Sequence, residues 1–175
     1  MSSLLPVLQI LEHMQGGRRV NRRYARRSED TEQMSVMDWA RWNQNAHPEL
    51  ELLHHCPNGG GSRNKAEAVK LKQMGVKAGI PDLCLPVPMG MYNGLYIEMK
   101  YDTGRLEDSQ KKMLKALAAA GHYCTVCYGA EEAIRVLQEY INLKKIDTGN
   151  REDAMSEQNL MIRKNGKVKC IIFKE

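Results

Sequence analysis

From Gly79 to Leu143 the apolar residues switch repeatedly between two spacings, and that alternation limits the folds open to the chain. "GIPDLCLPVP" and "LYIEMK" read as strands, with Pro81 at the entrance to the first. "MGMYNG" between them is rich in turn residues, so the two strands are expected to pair antiparallel. "EDSQKKMLKALAAAG" takes helical spacing, with Gln110, Met113, Leu114 and Leu117 on one stripe and Gly121 as a stop. "HYCTVCYG" returns to a strand. "AEEAIRVLQEYINL" then reads as a helix that turns Ala133, Ile134, Leu137, Tyr140 and Ile141 inward. Strands and helices that alternate in this way bury their apolar faces against one another, which is the α/β class.

Upstream, Ser28 is a plausible N-cap with acids in the turn that follows it. The helical spacing puts Glu29, Gln33, Val36, Met37 and Ala40 on one face, with Glu32 further round at the edge of that stripe. "LELLHHC" reads as another strand, "PNGGGSRN" as a polar loop, and "KAEAVKLKQMG" as a short helix ended by Gly75. Residues 144–158 are polar and read as loop. Asn165-Gly166 between two strand-like runs is a hairpin signal. Ahead of Ser28 lie a short apolar helix candidate and "GGRRVNRRYARRS", a run with six arginines and no acid. The expected division is a basic arm over 1–27, a domain over 28–143, and a linker with a hairpin appendage over 144–175.

A chain of 175 residues is long enough to bury a real core, and a net charge of +5 suits a polyanionic partner. No stretch is apolar for long enough to span a membrane. "LLPVLQIL" has no basic residue before it and no small-residue cleavage site after it, so it reads as a helix face and not as a signal peptide. Five cysteines without a secretion signal read as reduced thiols in a cytoplasm.

"LYIEMK" poses the chemical question. Glu98 and Lys100 share one face of the strand, since side chains alternate. A surface ion pair is one reading and an active site the other. Asp82 sits early in the preceding strand, and an antiparallel hairpin would bring it to Glu98. The two carboxylates could then share a cation, with the Met99 carbonyl as a third oxygen ligand and Glu29 completing the set. Oxygen donors of this kind suit Mg²⁺ or Mn²⁺, which lower the pKa of bound water and offset charge on a phosphate. Lys100 could hold or deprotonate that water, or stabilise charge developing on phosphorus. Gln110, polar on an apolar stripe, should either meet this site or bond a backbone group. The bare spacing of Pro-Asp and Glu-x-Lys is a weak signal by itself.

The wider succession "PNGG", "KLKQMGVKAGIPDL", "GLYIEMK", "GRLEDSQ" and "LAAAGHYCTVCYGAEEAIRVLQEYI" resembles the VRR-NUC family, a branch of the PD-(D/E)XK nuclease superfamily. The resemblance runs from about Ser28 to Ile141. It implies a restriction-endonuclease-like α/β core, a central mixed sheet flanked by helices in the order αβββαβ. It implies Glu29 as the acid of the first helix, Asp82, Glu98 and Lys100 as the motif residues, and Gln110 as the glutamine of the following helix. Where family members often carry Ser or Thr this chain has Glu107, a poorer N-cap, so Asp108 or Ser109 is expected to cap that helix instead.

Other features have plainer readings. His54, His55 and Cys56 alternate across a strand and cannot all ligate one ion. Cys124 and Cys127 would face opposite sides of theirs. "PNGGG" lacks the Lys-Ser/Thr of a P-loop. Of Trp39 and Trp42, one is expected in the core and the other at a subunit interface. Beside a metal-carboxylate site, Asn58, Arg63, Lys65, Lys70, Lys72 and Lys77 would line a DNA channel, and Arg22, Arg23, Arg26 and Arg27 would contact phosphate from the arm. With no base-reading helix in view, recognition of backbone and shape is expected.

The resulting expectation is a Mg²⁺- or Mn²⁺-dependent DNA endonuclease. Resemblance to stand-alone phage and prophage members of the family points to branched DNA such as a Holliday junction. Two coordinated cuts in such a junction suit a homodimer. The expected location is the cytoplasm of a bacterial host or phage-infected cell. The competing readings are a flap, nick or nonspecific nuclease, and a DNA-binding module whose carboxylates are structural.

Overall fold

A computed structural model of the chain describes residues 26–57, 65–143 and 159–172. Helix α1 (Glu29–Asn43) starts where Ser28 and Thr31 cap each other: Ser28 N–H donates to Thr31 Oγ1 at 2.8 Å, and Thr31 N–H to Ser28 Oγ at 3.3 Å. Glu29, Asp30 and Glu32 in its first turn face the positive end of the helix dipole. Pro48 then opens a 3₁₀ turn (Pro48–Leu52), where a missing N–H costs nothing, and Leu50 is buried beneath it. The strand expected over "LELLHHC" therefore shrinks to β1 (His54–His55), both residues exposed. Helix α2 (Lys65–Gln73) follows.

The sheet has six strands in sequential order. Strand β2 (Leu83–Leu85) pairs antiparallel with β1 and with β3 (Leu95–Lys100), Leu83 opposite Ile97. Asp82 thus lies just ahead of β2 and not within it. Helix α3 (Asp108–Ala119) carries the chain to β4 (Tyr123–Tyr128), which runs parallel to β3. Helix α4 (Ala130–Ile141) precedes β5 (Asn159–Lys164), which runs parallel to β4, and β6 (Lys167–Ile172) folds back on β5. Asn165 and Gly166 both take positive φ, 52° and 70°, the type I′ geometry that matches the twist of two paired strands. The terminal hairpin expected as an appendage instead extends the central sheet.

Two cores sandwich that sheet. Val36, Trp39 and Ala40 of α1 and Ala133, Val136, Leu137 and Tyr140 of α4 pack on Leu95, Ile97, Met99 and Cys127. On the other face Leu114 and Ala118 of α3 pack on Cys124 and Val126. Cys124 and Cys127 do face opposite sides, and the four cysteines whose side chains are described are free. Trp39 is core while Trp42 is 69% exposed. Strands paired on both edges are normally apolar along their length. In β3, Glu98 (0% exposed) and Lys100 (5%) break that pattern on the α3 side of the sheet. Among the described residues no helix is long and apolar enough to cross a membrane.

Candidate active site

Burying an unpaired carboxylate or ammonium costs several kcal/mol, so each needs partners. Lys100 Nζ lies 2.7 Å from Glu98 Oε1 and donates also to the Met99 carbonyl at 2.8 Å and to Glu29 Oε1 at 3.3 Å. The first turn of α1 thus reaches the end of β3, where Glu29 meets Lys100. Glu98 and Lys100 therefore form a buried ion pair rather than one on the surface. The ammonium itself gathers three of the oxygen donors expected to hold a metal.

Gln110 resolves its own alternative by doing both things. Its Nε2 donates to Glu98 Oε1, and its Oε1 accepts the Glu107 backbone N–H at 2.9 Å. Glu107, not Asp108 or Ser109, is the N-cap of α3, because the Gln110 side chain satisfies its N–H. Asp82 Oδ2 accepts the Met99 N–H at 2.8 Å, so the carboxylate is fixed beside β3. From the other side the Asp82 carbonyl is held by Cys56 N–H, just after β1, at 2.8 Å and by His55 Nδ1 at 2.8 Å.

The electrostatics follow from burial. Desolvation, and then the charge of Asp82, push the Glu98 carboxyl up to about 7 despite the hydrogen bond from Lys100. Burial opposes the Lys100 charge, but the bond to Glu98 and the carboxylates of Glu98, Glu29 and Asp82 outweigh it and raise its pKa. Glu98 Oε2 is buried without a hydrogen-bond partner among the described residues. An orphaned carboxylate oxygen, with the charge of Asp82 near enough to raise its pKa, is the kind of hard-oxygen donor a divalent cation takes. Among the described residues no three His, Cys, Asp or Glu side chains are already gathered as a metal cage. The fit therefore rests on Glu98 Oε2 and Asp82, since Lys100 already takes the Met99 carbonyl and Glu29.

Two contributors escaped sequence reasoning. Gly79 takes φ +79°, and a Cβ there would lie 2.4 Å from Ser109 C and O and 2.7 Å from Gln110 N. Only glycine lets the segment leading to Asp82 lie against the start of α3, so it brings Asp82 and Gln110 to one place. Its signal was a glycine three residues before the motif aspartate. Glu32, placed at the edge of its stripe by spacing, is 6% exposed. Its Oε2 accepts the Ala130 N–H at 2.8 Å, capping α4, and its carboxylate takes Arg27 Nε at 2.7 Å and Nη2 at 3.1 Å. The Arg27 hydrogen bond holds its pKa below the usual carboxylate range, against the pull of burial.

The expected DNA contacts divide accordingly. Lys70, Lys72, Lys77 and Arg26 are exposed. Arg27 is committed to Glu32 and lies with its guanidinium carbon 5.5 Å from the centre of the Tyr101 ring. Lys65 opens α2, but its side chain, like Arg22, Arg23, Asn58, Arg63 and the apolar helix candidate of the arm, lies outside the described residues.

A mixed sheet whose central strand delivers a carboxylate and an ammonium to one buried spot, with a second carboxylate beside them, can hold a hard cation against a phosphate. The chain belongs to the VRR-NUC domain family, whose model matches residues 17–131. It is similar in structure to a VRR_NUC domain protein, with 36% identity and a TM-score of 0.60 over 69% of this chain and 93% of that one. No curated protein matches it. Membership carries a nuclease-type, DNA-processing function.

Proposed function

We propose that this chain is a divalent-metal-dependent endonuclease of the PD-(D/E)XK type, hydrolysing phosphodiester bonds in branched DNA such as Holliday junctions. The observation that carries the metal dependence is the orphaned Glu98 Oε2 beside Asp82. Asp82, Glu98, the Met99 carbonyl and Glu29 would hold Mg²⁺ or Mn²⁺, which when bound makes water acidic and neutralises phosphate charge.

This chain's own residues do the remaining work. The Met99 N–H fixes the Asp82 carboxylate. Gln110 and Lys100 both occupy Glu98 Oε1, which leaves Oε2 to face the site. Lys100, held cationic by three carboxylates, orients the attacking water or stabilises charge developing on the phosphoryl oxygens. Preference for branched DNA is supported by the resemblance to stand-alone phage-type members of the family. A homodimer would supply the second cut that a four-way junction requires.

The test is cleavage of labelled junctions, flaps, duplex and single strands with Mg²⁺ or Mn²⁺, by wild type, Asp82→Ala and Lys100→Ala, with the mass in solution measured alongside. Junction cutting by wild type and none by either variant is the expected result. Equal cutting by the variants removes the site assignment, and binding without cutting under either metal leaves a DNA-binding module.

A further inference from the structure

The terminal hairpin lies beyond the residues that match the family, yet its contacts lead to the site. Residues 101–107 join Lys100 at the end of β3 to Glu107 and Gln110 at the start of α3, so this one loop sets the distance between two groups that meet on Glu98. The loop is held by its carbonyls. Lys164 Nζ, from the last residue of β5, donates to the Asp102 carbonyl at 2.6 Å and sits 4.6 Å from the centre of the Tyr128 ring. The hydroxyl of Tyr128, the last residue of β4, donates to the Gly104 carbonyl at 2.9 Å. Asp102 takes a left-handed φ of 49°, a conformation a non-glycine residue keeps only where its surroundings fix it. Behind Gly104 the chain packs on Lys100 itself, since a Cβ there would lie 3.3 Å from Lys100 Cδ.

The strand that supplies Lys164 is itself anchored. Beyond the β4–β5 ladder, Thr125 Oγ1 donates to the Met161 carbonyl at 2.9 Å. Arg163, 8% exposed, pairs with Glu139 of α4 through Nη1 at 2.9 Å and Nη2 at 2.6 Å. The hairpin turn donates its Gly166 N–H to the buried Glu132 carboxylate.

From these contacts we infer that the terminal hairpin is part of the nuclease centre: Lys164, with Tyr128, is a positioning residue that staples the 101–107 loop so that Lys100 and Gln110 converge on Glu98. The inference rests on the nuclease reading for its kinetic consequence, but not for the staple itself. Displacing a positioned group by an ångström or less costs one to two orders of magnitude in rate, and ground-state binding need not change.

The experiment uses the full chain. Lys164→Met, Tyr128→Phe and their combination are compared with Lys164→Arg in junction cleavage. Amide exchange of the folded proteins is followed at Gly104 and Glu107. The Glu107 N–H is held by Gln110 and reports on that side chain directly. The double variant is expected to lose about tenfold in kcat with KM within about twofold, while Lys164→Arg recovers most of the rate. Exchange at Gly104 and Glu107 should quicken and that within β3 should not. Unchanged kcat in the double variant overturns the inference, and so does a loss confined to KM, which would make Lys164 a phosphate contact. If wild type cuts no DNA, the nuclease reading falls, and the staple is judged by exchange alone. Faster Glu107 exchange then upholds it and unchanged exchange overturns it.

Discussion

Glu98 and Glu32 are both glutamates buried to within a few per cent, and they live under opposite conditions. Glu32 spends both oxygens, one on Arg27 and the other on Arg27 and the first N–H of α4, and its pKa falls. Glu98 spends one oxygen twice and the other not at all, and its pKa rises to about 7. A buried carboxylate whose lone pairs are all used holds structure together. One left with an unused oxygen and a raised pKa is costly to the fold, and such a cost persists where function requires it.

The sharpest way to break this comparison is to neutralise each in turn. Glu98→Gln should lower cleavage by about a thousandfold, the scale of removing a group that acts on the transition state. It should leave the urea midpoint at pH 8 unchanged or raised, because the variant no longer buries an under-satisfied charge. Glu32→Gln should do the reverse. It loses the Arg27 pair and weakens the α4 cap, for about 1–3 kcal/mol of unfolding free energy. Cleavage per folded molecule should stay within about threefold. If Glu32→Gln abolishes cleavage without loss of stability, or Glu98→Gln unfolds the protein while its remaining folded fraction still cuts, the distinction fails.

The same contrast predicts opposite pH responses. For Glu32 the folded pKa is depressed, so its contribution is present above the unfolded pKa of 4.5 and is lost as pH falls through the folded value. For Glu98 the folded pKa is raised from 4.5 to about 7, so its contribution is present below 4.5 and is lost as pH rises through about 7. Urea midpoints of wild type against each Gln variant, read from pH 3 to 8, should separate these windows. If the proposed cation site is right, Mg²⁺ would take the ionised carboxylate and should raise the melting temperature more at pH 8 than at pH 5.5. In Glu98→Gln that gain should disappear. An equal Mg²⁺ effect at both pH values, or one that survives in the variant, would place cation binding elsewhere.

How much of this was legible in the sequence depended on whether the cause was local. The hairpin that joins Asp82 to Glu98, the helix stripes, the Ser28 cap and the Asn165-Gly166 turn all follow from spacing and turn chemistry, and the structure has them. The alternation along β3 put Glu98 and Lys100 on one face, and helical spacing left Gln110 with two roles, both of which it plays. What spacing could not reach were pairings between distant elements. Nothing near Glu32 announces that the start of α4 lies above it, 98 residues on. Nothing near Gly79 announces the backbone of Ser109. The hairpin looked separate because the pairing of β5 with β4 crosses a long connection, and parallel partners leave no local turn signature. Over residues 50–52 the strand reading reached too far, because the 3₁₀ turn that Pro48 opens takes those residues.

The smallest expected effect separates two neighbouring arginines and two lysines by the same criterion of whether a charge is already used. Arg27 is paired with Glu32, whereas Lys72 and Lys77 are exposed. Lys72→Ala and Lys77→Ala should each reduce the slope of log binding constant against log salt by about 1, with kcat unchanged, if each neutralises one phosphate. Arg26→Ala should behave in the same way, since Arg26 is exposed beside the site-bearing helix α1. Arg27→Ala should leave the salt slope alone and instead lower stability, by about 1 kcal/mol or less given that its guanidinium is two-thirds exposed and screened. A salt slope that drops with Arg27 and not with Arg26 would mean that the Glu32 pair opens on DNA. In that case Arg27, just ahead of α1, would turn to phosphate, and Glu32 would be held by α4 alone.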